Sequence, residues 1–413
     1  MMKIAMRQRW GTAVRAGHDA TGGRRWLGGR KSVPAVAGLA VVAGSWLAIP
    51  VSASASAHWS PVVGHVYVND NTAGRNTIGA FDRHADGTLT PEPGSPFTAG
   101  GTGTGAGLAS QGALQISPDG RYLIAVDAGS NQISVLRVGP GGSLRLVRGG
   151  VVSSHGVLPV SIAIHGDLVY VANSGTGGSN YTGFRLAATG RLRPIPGSTV
   201  ALPDGAQPGD VLFNGTGSKL AGTRVGTSMI DSFTVRRDGR LAAAPGSPFA
   251  GQGLGPFGSE FRPTNPDQLF VSNAHNAGTG SGTVSAFRVS ANAALTPIGS
   301  SPFPDLQTAP CWVEISHNGR FLITVNTGSG TISRYAVQRS GALSLLGSTP
   351  VKATGGVGAV DARLSPDGRF LYVDESKTGA VGAFAVHGGK LAELGSSPVS
   401  LPTGAAPAGI VVS

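Results

Sequence analysis

One phrase recurs along this chain, and it limits the possible folds more than any other feature. It reads ISPDGRYLIAV at 116–126, EISHNGRFLITV at 314–325 and RLSPDGRFLYV at 363–373. Each copy is a short apolar run, a turn built on Asp-Gly or Asn-Gly, and a second apolar run, which is the pattern of a β-hairpin. The second run ends in a polar anchor at Asn69, Asp127, Asn173, Asn273, Asn326 and Asp374, with Thr223-Arg224 in the remaining unit. A third strand follows every anchor, at 77–83, 132–138, 181–186, 229–235, 283–289, 331–337 and 380–386. A turn such as Asp86-Gly87 or Asp238-Gly239 then leads to a fourth strand. Most units close with a tag such as Gly94-Ser95-Pro96-Phe97, where proline ends an outer strand because the lost N–H is tolerated there. The anchors recur about every 51 residues, the length of one four-stranded propeller blade.

The repeat predicts an all-β fold, a seven-bladed β-propeller over residues 58–413. The first unit begins at Val62 with what is a second strand elsewhere, so its innermost strand is missing. Residues 409–413, Gly-Ile-Val-Val-Ser, align with the first strands of the other units. They are expected to complete blade one and close the ring, leaving no sheet edge open. Composition agrees. The chain has 66 glycines and 27 prolines in 413 residues, which suits many short strands and tight turns and would burden helices. Hydrophobic residues make up 40% and charged residues 13%, so a core can form and disorder is excluded. A single cysteine, Cys311, rules out an internal disulfide framework, and a nucleophilic role is disfavoured because free cysteine is usually buried.

The net charge of +11 is concentrated at the start. Residues 1–57 carry eight Lys/Arg against Asp19, and the remainder has 24 basic and 20 acidic residues with no basic stripe. Nucleic acid is therefore not an expected partner. Arg30-Lys31, the apolar stretch 33–51 and the small-residue ending Ala55-Ser56-Ala57 form the three parts of an export signal. Cleavage after Ala57 would give a secreted chain starting at His58. Arg24-Arg25 suggests the twin-arginine route, with the general secretory route as the rival; an uncleaved anchor is the other reading.

Repeated residues serve the scaffold, so chemistry is sought where the repeat breaks. Aligned first strands put Gln115, Ala163, Leu212, Glu260, Glu314, Arg363 and Val411 in one column. Two residues earlier stand Ala113, Ser161, Asp210, Gly258, Trp312, Asp361 and Gly409. Adjacent blades thus offer Glu260 and Glu314 as acid–base groups and Arg363 as a cation for a developing oxyanion. A buried ion pair between Glu314 and Arg363 is the structural alternative. His275, after the blade-five anchor, suits proton transfer near neutral pH. Arg224 replaces an anchor and could bind a carboxylate or phosphate. The loop GGTGTGAG at 100–107 lacks the strand–helix setting of a phosphate loop and reads as flexible, a candidate lid at the channel mouth.

SPDGR at 117–121 and 365–369, AGSNQISVLRV at 128–138, TAPCWVEIS at 308–316 and GSGTISRYAV at 328–337 carry a family resemblance. The chain resembles the lactonase family of YVTN-type seven-bladed propellers, which includes bacterial 6-phosphogluconolactonases and fungal carboxymuconate-lactonizing enzymes. The resemblance implies hydrolysis or formation of a lactone ring at the mouth of the central channel; no cofactor and no metal are expected. Read from the breaks in the repeat rather than carried over from the family, the site would draw on Glu314, Arg363, Glu260 and His275 for chemistry, and on Arg224, Gln111 and Trp312 for binding. The family's expected Arg-His pair is absent, since blade four opens Pro208-Gly209-Asp210. Ser110-Gln111-Gly112 stands where a histidine is expected. The non-enzymatic alternative is an extracellular propeller that binds a small ligand, polysaccharide or protein. The expected partner is a small molecule, the chain acting as a monomer without lasting membrane association.

Overall fold

The computed structural model describes residues 60–276, 278–352 and 358–413. The export segment read at 1–57 lies outside the described residues. Seven antiparallel sheets are present, and the described helical content is limited to two three-residue 3-10 turns, Ala128–Ser130 and Pro140–Gly142. Strands are called first to fourth from the channel outward. Blade two is representative, with first strand Leu114–Ile116, second Tyr122–Asp127, third Gln132–Val138 and fourth Leu144–Ser153. Each second strand lies between neighbouring blades, so both of its faces are covered. Tyr122–Asp127 and Leu168–Asn173 are buried at every residue, which explains their unbroken apolar runs.

The ring closes as the sequence predicts. Ile410–Val412 is the first strand of blade one and pairs antiparallel with its second strand, Val62–Asn69, through Val66–Val412, Tyr67–Val411 and Val68–Ile410. Arg83 on the third strand donates to the main-chain oxygen of Ser413 at 3.0 and 3.2 Å. A latch repeats between blades. The hydroxyls of Tyr67, Tyr170 and Tyr372 donate to the carbonyls of Gly142, Gly239 and Gly87 at 2.9, 2.8 and 3.0 Å. Each acceptor is a positive-φ turn glycine of the next blade. The hydroxyl is thus satisfied while the ring fills the seam between sheets.

Three details depart from the sequence reading. Cα register makes Asp70 and Glu375, not Asn69 and Asp374, the anchors of blades one and seven, since Glu375 faces Ala359 as Asn326 faces Pro310. These anchors reach the third strand, as in Asn326 Nδ2 to Ser333 Oγ at 2.8 Å. Where the third strand offers glycine, the anchor is an acid. A Cβ on Gly79 would lie 2.9 Å from Asp70 Oδ1, and one on Gly382 2.6 Å from Glu375 Oε1. The Ser-Pro tag interrupts the outer edge rather than ending it. Ser95, Ser247, Ser301 and Ser397 accept from third-strand N–H groups. The chain then pairs again with the third strand, as Phe97 does with Ile78. Finally, Phe97–Gly103 is such a returning strand, so half of the proposed lid is sheet. Gly101 packs so close to blade two that a Cβ would fall 2.4 Å from Ser130 Oγ.

Candidate functional site

Seven first strands line the channel, and one segment blocks it. Ser110, Gln111 and Gly112, just ahead of blade two, bond to five other blades. Ser110 Oγ donates to Val160 O of blade three, and the Gln111 N–H donates to Gly209 O of blade four. Gln111 Nε2 donates to Ser259 O and Val313 O at 3.0 and 3.2 Å, and its Oε1 accepts from Val313 N at 3.0 Å. Trp312 Nε1 donates to Ser110 O at 2.8 Å, and Gly112 N donates to Asp361 Oδ2 of blade seven at 3.1 Å. A segment that touches blades three to seven must cross the channel, and its fully used amide makes it a septum. Gln111, 2% exposed, is therefore structural rather than free for ligand. Trp312 is likewise held, with its ring edge-on to Phe257 at 5.1 Å and wall space left on one chamber only.

Two chambers result. The first, about 310 Å³, runs toward the first-to-second-strand turns and is lined by Asp210, Glu260, Glu314 and Arg363, with Pro263 and His317 from the turns. The second, about 300 Å³, lies on the other side and is lined by Leu108, Phe257, Trp312, Val360 and Pro407, with His275 and Asp361. The sequence reading put Glu260, Glu314, Arg363 and His275 at one mouth. The structure corrects this. The Glu/Arg column lies two residues beyond the septum, and exposed His275 belongs to the opposite chamber.

In the first chamber Arg363 Nη1 donates to Glu314 Oε2 at 3.0 Å, across blades seven and six. Glu314 Oε1 accepts from Leu364 N at 3.2 Å, so both its oxygens are engaged. The inter-blade ion pair expected as the structural alternative is therefore formed. It is not sealed: the side chains of Arg363 and Glu314 are 19% and 12% exposed. Nη1 also reaches Ala362 O, whereas Nε and Nη2 bond no other described residue. Glu260 also has no described hydrogen-bond partner. Burial, then the charge of Glu314, push it up to about 8, with Arg363 offsetting part of the shift. Burial pushes Asp210 up to about 7 despite hydrogen bonds from Ser259 N and Oγ at 3.0 and 2.7 Å. Glu314 and Asp361 are raised by burial as well. Desolvation works against the Arg363 charge, but Asp361, Glu314, Glu260 and Asp210 together hold it protonated. Asp361 acts on Arg363 from the other side of the septum, while in the first chamber one guanidinium serves three carboxyls, Asp210, Glu260 and Glu314, all raised by burial.

The assignment of roles shifts accordingly. Of the two glutamates, Glu260 is left unbonded and is raised further by burial, whereas Glu314 is tied to Arg363 and Leu364. Asp210 and Asp361 were passed over. Their signal was present, as the two carboxylates in a column otherwise filled by Ala, Ser, Gly and Trp. Arg224 is engaged within its own blade. Its Nε and Nη2 form a fork on Asp231 at 2.6 and 2.6 Å, and Tyr181 donates to the same carboxylate at 3.0 Å. Blade four has exchanged the Asn–Ser anchor pair for an Arg–Asp pair. Cys311 is buried, and desolvation pushes its thiol up to about 12, which removes it as a nucleophile.

The sequence model of one protein family, described as lactonase, 7-bladed beta-propeller, matches residues 59–213 and 261–407. No curated protein matches the chain. Solved structures similar in fold include a proposed 6-phosphogluconolactonase from Bacteroides uniformis, at 20% identity and TM-score 0.66, covering 86% of this chain and 100% of the other. A protein from Lactobacillus plantarum has 22% identity and TM-score 0.66, covering 85% and 99%. The periplasmic gluconolactonase of Pseudomonas aeruginosa has 19% identity and TM-score 0.64, covering 84% and 98%.

Proposed function

The chain belongs to the lactonase family of seven-bladed β-propellers, and from that premise we propose that it opens or closes a lactone ring in the first chamber. The observation that carries the reading is a guanidinium with free donors sharing one chamber with an unbonded carboxyl that burial raises, Arg363 and Glu260. In the opening direction, water adds to the ring carbonyl and its oxygen forms the new C–O bond. Negative charge develops on the carbonyl oxygen, where the Nε and Nη2 donors of Arg363 can stabilise it. The ring C–O bond then breaks, and Glu260 supplies the proton that the departing ring oxygen needs. The proton lost by water returns to a chamber carboxylate, for which Asp210 is tuned to about 7.

Charge selects the substrate class. With Arg363 already paired to Glu314, the chamber offers no surplus positive charge to a phosphate dianion, whereas carboxyl groups readily bond hydroxyls. A neutral polyhydroxylated lactone therefore fits this chamber better than a sugar-phosphate lactone, and the volume suits a small ligand. The gluconolactone named for the Pseudomonas relative falls in that class. The export segment read at 1–57 would place the activity outside the cytoplasm.

A panel of neutral and phosphorylated lactones, offered to the purified chain, tests the reading. Turnover of a neutral lactone that collapses in Glu260→Gln is expected. Absence of turnover across the panel overturns it and leaves the non-catalytic binding propeller. That second reading draws on one observation, the largely apolar second chamber beside Trp312 and Phe257.

A further inference from the structure

The geometry points to a divalent metal site, zinc in the first place, held by His65, Asp82 and Glu92 on the outer part of blade one. Cross-strand register builds it. His65 on the second strand is the Cα partner of Asp82 on the third. The Glu92 N–H donates to Ala80 O, two residues before Asp82, so Glu92 shares their face of the sheet. One ligand atom from each residue lies within 4.8 Å of the others, which no other such group does among the described residues. His65 Nδ1 stands 3.2 Å from Asp82 Oδ1. Two ligands at about 2.0–2.2 Å from a tetrahedral zinc ion are separated by about 3.3–3.6 Å, close to that spacing.

The site lacks a counter-charge of its own. His65 Nδ1 is buried without a properly aligned hydrogen bond, and Glu92 is 8% exposed. Arg83, next along the strand, turns its guanidinium away to the oxygens of Val63 and Ser413. The imidazole is fixed against Gly142 of blade two, where a Cβ would fall 2.3 Å from Nδ1. Asp82 and His65 keep side-chain exposures of 21% and 17%, so the cluster lies near the surface. The His65 backbone also pairs with Ser413, through N–H to O at 3.3 Å and the reverse bond at 2.9 Å. An ion bound here would clamp the seam where the ring closes, at a distance from the channel chemistry.

Zinc chloride titrated into the chelator-treated full chain, read by calorimetry and by elemental analysis after dialysis, tests the site. One equivalent per chain and a higher melting temperature are expected. His65→Ala, and separately the near-isosteric Glu92→Gln, should each weaken binding by tenfold or more. Less than one equivalent in the wild type, or one equivalent that survives both substitutions, overturns the proposal. Glu92→Gln keeps the test valid should His65→Ala fold poorly. Glu260→Gln should leave zinc binding unchanged.

Discussion

Glu260 illustrates how one side chain can report on both chemistry and stability. Its carboxyl is raised to about 8 in the folded chain against an ordinary value near 4.3, so the folded state holds the proton more tightly. Stability from this group is complete below about pH 4 and is lost as pH rises toward 8, because the unfolded chain then binds fewer protons. Glu260→Gln mimics the protonated form. Denaturant titrations should find the variant more stable than the wild type at pH 9, by about 1 kcal/mol or more, and little changed at pH 4.5. The same substitution should cut lactone turnover by about 10²–10⁴. Wild-type turnover should fall above pH 8 as the proton donor is lost. Arg363→Met should instead strand the Glu314 carboxylate and cost about 3–5 kcal/mol at neutral pH, measured by the same titrations. These roles were half legible. The Glu/Arg column can be read from aligned repeats, but the ranking of Glu260 over Glu314 needs hydrogen bonds that only packing reveals.

At the scale of strands and segments, the anchor pairs and the septum carry the argument. Arg224 and Asp231 replace the Asn–Ser pair seen at Asn326 and Ser333. Arg224→Asn alone should cost about 3–5 kcal/mol by leaving Asp231 buried and unpaired. Arg224→Asn with Asp231→Ser should recover most of that loss, since it restores the neutral pair; a double-mutant cycle measures the coupling. The exchange was visible in principle, because Asp231 occupies the place of Ser134, Ser285 and Ser333 in the aligned third strands. The septum was not. Nothing in Ser110-Gln111-Gly112 announces a channel crossing, because its partners lie 148 and 202 residues away. Gln111→Ala should destabilise by about 1–3 kcal/mol per polar group left unpaired and should open the two chambers to each other. A probe too large for either chamber, binding the variant alone, would report that opening.

For the whole molecule, closure and export are the testable features. Removing residues 409–413 takes the first strand from blade one and exposes the second-strand edge at Val66–Val68. The truncated chain should melt at a lower temperature and aggregate through that edge, measured by calorimetry and light scattering. N-terminal sequencing of protein recovered from the culture medium should begin near His58.

The sequence by itself determined the all-β class, the blade count and the closing strand, because each blade is a local unit of hairpins whose turns and apolar runs recur at a fixed spacing. It also determined which first strands break the pattern with charge. Tertiary structure decided what those charges do. Whether Glu314 is free or tied, whether Arg224 faces a ligand or Asp231, and which end of the channel a residue reaches all depend on contacts between blades. Such contacts join residues far apart in sequence, and a one-residue shift, as at Asp374 and Glu375, moves a side chain to the opposite face of its sheet. The raised pKa of Glu260 is likewise a property of the assembled channel, where burial and neighbouring carboxylates act together.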